Sequence, residues 1–151
     1  PQLHKYFKLS NESGLSSYLA GTVKKDMIHQ GVIENLDVIS CGPVPPNPSE
    51  LLYAERTGLL LQKTRELYNM IILDSPPLAG GADSAILGAA TDGIIMVVRA
   101  GETEMEAVRQ AARQLHTVGA RVVGAVMNDP DGEVEKYDGY YYHYGYYGRE
   151  S

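Results

Sequence analysis

Polar residues close the three most apolar stretches of the chain, and each carries a different functional group. They are Asp74, Arg99 and Asn128, which offer a carboxylate, a guanidinium and a carboxamide. If these stretches are parallel strands, their carboxyl ends face one crevice, which is where open α/β sheets bind ligands. The simplest interpretation is therefore that the three residues share one site. The alternative is that these residues only mark the points where strands leave the core.

Asp74 lies in residues 69–77 (NMIILDSPP). The apolar run has no alternation, which is typical of a parallel strand covered on both faces, and Pro76 and Pro77 cannot extend a strand ladder. We therefore predict a strand that ends at Asp74. A hydrophobic strand closed by Asp has the form of a Walker B element, whose carboxylate helps to hold Mg²⁺ on a nucleotide. The alternative is that Asp74 begins a turn or caps the next segment.

The carboxyl-terminal segment 137–151 is rich in tyrosine and glycine. It holds seven of the eleven tyrosines in the chain. Its low complexity predicts a flexible tail over residues 131–151, after an α/β domain over residues 1–130. The tail could be a stacking surface, a sticky segment or a set of phosphate acceptors. The seven tyrosines are Tyr137, Tyr140, Tyr141, Tyr142, Tyr144, Tyr146 and Tyr147.

The composition limits the classes of protein to which the chain can belong. A chain of 151 residues, 44% hydrophobic and 21% charged, fits one globular domain with a single core. A net charge of -6 gives no overall electrostatic footprint for nucleic acid, so we expect no nucleic-acid partner. The single cysteine, Cys41, excludes an internal disulfide. No run of 18 apolar residues and no signal peptide is present, and we interpret the start at Pro1 as a cut from something longer.

Strands and helices alternate along the chain with short connections. This pattern predicts an α/β fold with a doubly wound, mostly parallel sheet flanked by helices. Two further buried strands are expected at residues 93–98 and 121–127. A short strand is expected at residues 36–42, with an edge piece at Met27 and Ile28. Residues 11–21 are expected to form a loop and a short helix that ends at Gly21, which tolerates the left-handed cap.

One long helix is predicted to begin in the proline-rich segment near residue 47. Asn47 can cap it and Pro48 suits its first position. We expect an interruption near Gly58. Residues 58–64 (GLLLQKT) superficially resemble a phosphate-binding loop, but Gln62 replaces the glycine before Lys63. We therefore predict helix there, with Lys63 facing solvent.

Two later helices have predicted amino-terminal caps. Asp83 is placed to cap a helix over residues 84–90, and Thr103 with Glu106 matches a capping box. The helix after this box should carry one apolar stripe before it ends at Gly119. The stripe consists of Met105, Val108, Ala112 and Leu115.

Several motifs together resemble the cytoplasmic kinase domain of the bacterial tyrosine kinases of capsule and exopolysaccharide co-polymerase systems. The proline-asparagine-proline segment and the tyrosine cluster are specific to that family, whereas Asp-Ser-Pro-Pro is shared with related ATPases. The resemblance covers essentially the whole chain. The matching segments are residues 1–7 (PQLHKYF), 11–21, 42–52 (GPVPPNPSELL), 71–77 (IILDSPP) with Asp83, 97–103 and 124–128, and the tyrosine tail.

The resemblance implies a P-loop NTPase-like fold and the cofactors ATP and Mg²⁺. In that family the γ-phosphate of ATP is transferred to tail tyrosines. By this match Asp74 is the Walker B carboxylate, which serves the metal and the attacking hydroxyl. Asn128 lies by the adenine, and Arg99 matches a family arginine at the nucleotide site. The seven tail tyrosines match the acceptor cluster as a set.

The resemblance also implies partners and a location. Tails of neighbouring subunits bind in each other's active sites and form a homo-oligomeric ring. A membrane co-polymerase segment or activator protein and a cognate tyrosine phosphatase are further expected partners. The expected location is the cytoplasmic face of the bacterial inner membrane, where phosphorylation governs polymer export.

The chain also departs from the family pattern. The phosphate-binding loop and the second acidic Walker motif are absent, and with them the first strand and helix of the sheet. Phosphoryl transfer depends on positioning and charge stabilisation, so we expect this chain alone to be inactive and to expose an apolar sheet edge. Two alternatives stay open: a partition- or septum-type ATPase, and a noncatalytic phosphoacceptor scaffold phosphorylated in trans.

Overall fold

The computed structural model describes residues 2–23, 27–46, 48–53, 55–78 and 83–130. The chain divides into two compact units, residues 1–76 and 77–151. Each unit has its own strand pair. Within the described residues, no helix combines the length and the apolarity needed to cross a bilayer.

The described residues of the first unit form a β-hairpin and four helices. Strands β1 and β2 pair antiparallel, with Ile28 opposite Ile39 and Ile33 opposite Leu36, and an irregularity between these two pairs. The hairpin confirms a strand at both predicted places, with β1 longer than the expected edge piece and β2 ending at Ile39 rather than at residue 42. The elements are α1 (Leu3–Tyr6), α2 (Leu15–Leu19), β1 (Ile28–Ile33), β2 (Leu36–Ile39), α3 (Pro48–Tyr53) and α4 (Glu55–Leu67).

Helix boundaries in the first unit confirm two predictions and correct one. Gly21 ends the short helix α2 with a φ of +80°, a conformation that side chains oppose. Pro48 is the first residue of α3, as expected; its predicted cap, Asn47, lies outside the described residues. The predicted interruption near Gly58 is wrong, because α4 runs through it from Glu55 to Leu67. A single helix-interior glycine costs only about 1 kcal/mol relative to alanine, which the rest of α4 outweighs. Lys63 is exposed, as predicted.

The described residues of the second unit form a parallel strand pair and two helices. Its elements are α5 (Asp83–Ala89), β3 (Ile94–Arg99), α6 (Met105–Thr117) and β4 (Val122–Asn128). The register runs from Ile94 opposite Val122 to Arg99 opposite Asn128. Asp83 begins α5, and its predicted capping by the side chain lies outside what the structure describes.

The core of the second unit is small and lies on one face of the strand pair. Ala85, Met96 and Leu115 are buried there. The predicted stripe of α6 is partly wrong: Leu115 is fully buried, but Met105 is 64% exposed and Ala112 is exposed. The inward residues lie at spacings of three and four, Val108, Ala111 and Leu115. Ala111 takes the place expected for Ala112, whereas Val108 and Leu115 are inward as predicted.

The capping box before α6 is also wrong. The helix begins after Glu104, and no side chain caps its amino terminus. The Thr103 hydroxyl instead accepts a 2.9 Å hydrogen bond from the backbone N–H of Arg99. Glu106 pairs with Arg113 at 2.7 Å. Both side chains that would form the box therefore have other partners.

The predicted strand at residues 70–74 is not formed. Residues 70–77 have no strand assignment, and Met70 and Ile72 are 77% and 83% exposed. A strand exists only through bonds to a neighbouring strand, and neither described sheet includes this segment. The apolar composition that predicts a buried strand is therefore present without the neighbours that would bury it.

Candidate functional site

Two of the three predicted site residues lie side by side at the carboxyl end of the parallel pair. Arg99 ends β3, Asn128 ends β4, and the two are register partners. The Ala100 N–H donates a 3.0 Å hydrogen bond to the Asn128 carbonyl. The prediction that these strand ends meet at one edge is therefore confirmed within the second unit.

The Arg99 guanidinium contacts two carboxylates. Its Nη1 lies 2.9 Å from Oε1 of Glu102, and its Nη2 lies 3.4 Å from Oδ2 of Asp129. The Arg99 backbone carbonyl accepts a 3.0 Å bond from the Thr103 N–H. Arg99 thus ties the end of β3 both to the turn that follows it and to the residue after β4.

Asp129 is a site residue that the sequence reasoning missed. Its side chain is only 5% exposed, and its φ of +52° lies in the left-handed region, where Asp is enriched among non-glycine residues. An Asn-Asp-Pro sequence after an apolar strand was the available signal, since such residues favour turns. This motif does not reveal the interaction of Asp129 with Arg99, because Arg99 is thirty residues away in sequence.

Asp74 belongs to the first unit and lies on an exposed segment. The described part of the chain holds no group of three or more His, Cys, Asp or Glu side chains able to bind a metal ion. Mg²⁺ in nucleotide sites is commonly held by one or two carboxylates together with the phosphates. A lone accessible carboxylate therefore fits an ion that a nucleotide brings, but not a site built from protein alone.

The segment that carries Asp74 begins just after Tyr68, whose side chain is held by a hydrogen bond. Tyr68 follows helix α4, and its hydroxyl donates a 2.6 Å hydrogen bond to Oδ2 of Asp37 in β2. Oδ1 of Asp37 accepts a 2.8 Å bond from the N–H of Gly31 in β1. These bonds, the Tyr68 bond first, hold the pKa of Asp37 below its usual 3.8. The same bond raises the pKa of Tyr68 above its usual 10.0, with burial adding to the effect.

A second set of hydrogen bonds joins two segments that carry the family resemblance. The Asn11 side chain exchanges two hydrogen bonds with the backbone of Gly42, at 3.0 and 2.8 Å. The Ser16 hydroxyl donates to the carbonyl of Pro43 at 2.7 Å. A Cβ on Gly14 would lie within 2.3 Å of the Ser40 carbonyl oxygen. The segment at residues 11–16 therefore fixes the start of the proline-rich turn.

The seven tail tyrosines named above, Tyr137 to Tyr147, all lie outside the described residues. Their role as acceptors stays a prediction.

Curated relatives of the chain are tyrosine-protein kinases. Tyrosine-protein kinase YwqD of Bacillus subtilis is 38% identical over 98% of this chain and 60% of its own length. Putative tyrosine-protein kinase CapB of Staphylococcus aureus is 33% identical over 96% of this chain and 63% of its own length. The chain therefore spans about three fifths of the length of these relatives. No protein-family model matches it.

Solved structures of similar fold agree with these relatives. The kinase domain of Escherichia coli tyrosine kinase ETK superposes with a TM-score of 0.80 at 36% identity, covering 96% of this chain and 56% of that domain. The chimerical protein CapA2B2 superposes with a TM-score of 0.79 at 33% identity, covering 84% of this chain and 57% of that protein. The expected resemblance is confirmed: in sequence and in fold the chain is similar to bacterial tyrosine-protein kinases.

Proposed function

We propose that this chain is the larger part of a protein-tyrosine autokinase that transfers the γ-phosphate of ATP to tyrosines of its own carboxyl-terminal tail. The observation that carries the proposal is the match to tyrosine-protein kinase YwqD along 98% of the chain. The tyrosine cluster at residues 137–147 supports it, because it supplies acceptors in the same polypeptide.

We propose for the three predicted site residues the roles that the family resemblance implies. Bound ATP·Mg²⁺ supplies the transferable phosphoryl group and the metal charge. Asp74 would hold the metal, since its carboxylate is exposed. Asn128 would face the adenine from the end of β4. Arg99 would act at the same edge, where its guanidinium already contacts Glu102 and Asp129.

The tail and its partners complete the proposal. Tails docked in neighbouring active sites would close a homo-oligomeric ring at the cytoplasmic face of the inner membrane. A co-polymerase segment or activator would anchor the ring, and a tyrosine phosphatase would reset it. A relative described as a putative tyrosine-protein kinase in the cps region of Klebsiella pneumoniae supports a role in capsule or exopolysaccharide production.

Three functions are separated by one experiment on a hybrid protein. The 151-residue chain contains no lysine-bearing phosphate loop, so we expect it to bind ATP·Mg²⁺ weakly and to be inactive alone. A hybrid that adds the unmatched part of YwqD is incubated with ATP and Mg²⁺, with or without a second, complete tyrosine kinase. Tail phosphotyrosine without the second kinase supports the autokinase. Phosphotyrosine only with the second kinase indicates an acceptor scaffold, and ATP hydrolysis without phosphotyrosine indicates a partition-type ATPase.

A further inference from the structure

Asp129 places a buried carboxylate at the edge where β3 and β4 end. Its side chain is 5% exposed, while that of its partner Arg99 is 31% exposed. A buried carboxylate is stable only with hydrogen-bond or charge partners. Oδ2 of Asp129 lies 3.4 Å from Nη2 of Arg99. This interaction crosses from the end of one strand to the residue beyond the end of the other.

Backbone bonds make the same connection. The Arg99 N–H donates to the Thr103 hydroxyl at 2.9 Å, and the Ala100 N–H donates to the Asn128 carbonyl at 3.0 Å. Arg99 and Asn128 are also register partners in the sheet. The backbone on both sides of the Asn128 side chain is therefore fixed, and the side chain itself is exposed.

We infer that Asp129 is a positioning residue for base recognition: through Arg99 it holds the end of β4 so that the Asn128 carboxamide is presented to an adenine. The inference rests on the proposed function, which places Asn128 beside the base. A carboxamide in a fixed orientation can bond both N6 and N7 of adenine. Guanine offers an acceptor in place of the N6 donor, so the same orientation makes only one of the two bonds.

A merely structural ion pair would change stability and leave base preference unaltered. The test is therefore a titration of ATP and of GTP, each with Mg²⁺, into the hybrid protein, in which NMR signals of the Asn128 side-chain amide report binding. The variant is Asp129→Asn, which removes the charge but keeps a residue that tolerates positive φ. We expect it to weaken ATP binding on the order of tenfold, to weaken GTP binding less, and so to narrow the ratio of the two affinities.

A comparison of single and double variants tests whether the Asp129–Arg99 ion pair is the cause of the lost ATP affinity. Arg99→Gln should cause the same loss of ATP affinity, and the double variant should lose no more than either single variant. The matched control is Glu106→Gln, which breaks the exposed 2.7 Å pair with Arg113 on α6. It should change neither affinity.

The outcomes separate this inference from the proposed function. An Asp129→Asn chain with the wild-type affinities and ratio would overturn the inference and leave the proposed function standing. If that variant does not fold, Asp129→Gly replaces it, because glycine adopts the same φ and lacks the carboxylate. A wild-type hybrid that binds ATP without any response of the Asn128 amide overturns the proposed role of Asn128 and the inference with it.

Discussion

The hydroxyl of Tyr68 donates a 2.6 Å hydrogen bond to the carboxylate of Asp37, thirty-one residues earlier in the chain. This bond joins the carboxyl end of helix α4 to the β-hairpin. Residues 70–77, which include Asp74, follow immediately and have no strand partner among the described residues. The Tyr68–Asp37 bond is thus the side-chain contact that anchors the start of this segment.

The Tyr68–Asp37 bond should give the first unit a defined pH dependence. The pKa of Asp37 is lowered, so its contribution to stability is present above about pH 3.8 and lost as pH falls through the lower folded value. The pKa of Tyr68 is raised, so its contribution is present below about pH 10.0 and lost as pH rises through the higher folded value. The difference in unfolding free energy between wild type and Tyr68→Phe should therefore be constant at intermediate pH and shrink at both extremes.

Denaturant unfolding across this pH range measures the difference. Tyr6→Phe is the control, because Tyr6 is 84% exposed. It should match wild type throughout. A Tyr68→Phe difference that stays the same below pH 3.8 would show that the ionised Asp37 is not the acceptor that matters.

Backbone atoms of a neighbouring segment lie so close to Gly14 that this position should not tolerate a side chain. A Cβ there would lie 2.3 Å from the Ser40 carbonyl oxygen and 2.4 Å from the Gly42 nitrogen, and both are backbone atoms. Gly14→Ala should destabilise the chain by about 1–3 kcal/mol, the usual cost of overpacking. Gly58→Ala is the matched control, since nothing lies within 4 Å of its Cβ position inside α4. It should stabilise by about 0.5–1 kcal/mol, and thermal unfolding of both variants measures the contrast.

Local patterns in the sequence predicted much of the fold. Pro48 begins a helix, Gly21 ends one, and Arg99 and Asn128 end adjacent parallel strands. In each case the cause is local: a fixed φ, a missing side chain, or an apolar run that stops. The family resemblance also came from contiguous motifs.

The errors involve contacts that are distant in sequence. The Thr103 hydroxyl bonds to Arg99 rather than capping α6, and Asp129 is buried because Arg99 reaches it. The segment 70–74 has the composition of a central strand, but strand formation needs a neighbour that composition does not specify. Which face of α6 turns inward depends on the packing of Ala85 and Met96, a tertiary effect.

The face of β3 opposite the core is uncovered and every residue of β4 is exposed, so the strand pair should promote association. Ile95 and Val97 are 61% and 68% exposed, and they alternate with the buried Met96. Val126, the register partner of Val97, is 50% exposed. Parallel strands are normally covered on both faces, so the chain should bind a hydrophobic dye and self-associate. Val97→Thr should reduce both effects and cost only about 0.5 kcal/mol.

Met96→Thr is the matched control on the opposite face. It should cost about 2–4 kcal/mol, because it leaves a cavity and a buried hydroxyl in the small core. Light scattering and denaturant unfolding report the two properties separately. Equal stability losses at positions 96 and 97 would contradict the one-sided core.

Phosphorylation of the tail should disassemble the proposed ring. Each phosphotyrosine adds about -1.5 to -2 charges, so four of the seven add roughly -6 to -8. Screening limits the reach of this charge to about 8 Å at physiological salt, so the number of modified tyrosines should matter more than their identity. The oligomer size of the hybrid protein is compared before and after phosphorylation with that of a variant carrying Tyr→Phe at all seven positions. A phosphorylated wild type as large as the Phe variant would contradict charge-driven release.

Tail phosphorylation should depend on Asp74 if its carboxylate holds the metal of a tyrosine autokinase. Phosphotyrosine in segment 137–147 of the hybrid protein is measured by mass spectrometry after incubation with ATP and Mg²⁺. Asp74→Asn is nearly isosteric but removes the charge that would hold the metal, so it should abolish the phosphotyrosine while circular dichroism shows an unchanged fold. Glu66→Gln, which neutralises another exposed carboxylate in the same unit, should leave phosphorylation at the wild-type level. Wild-type phosphorylation in Asp74→Asn would contradict the account.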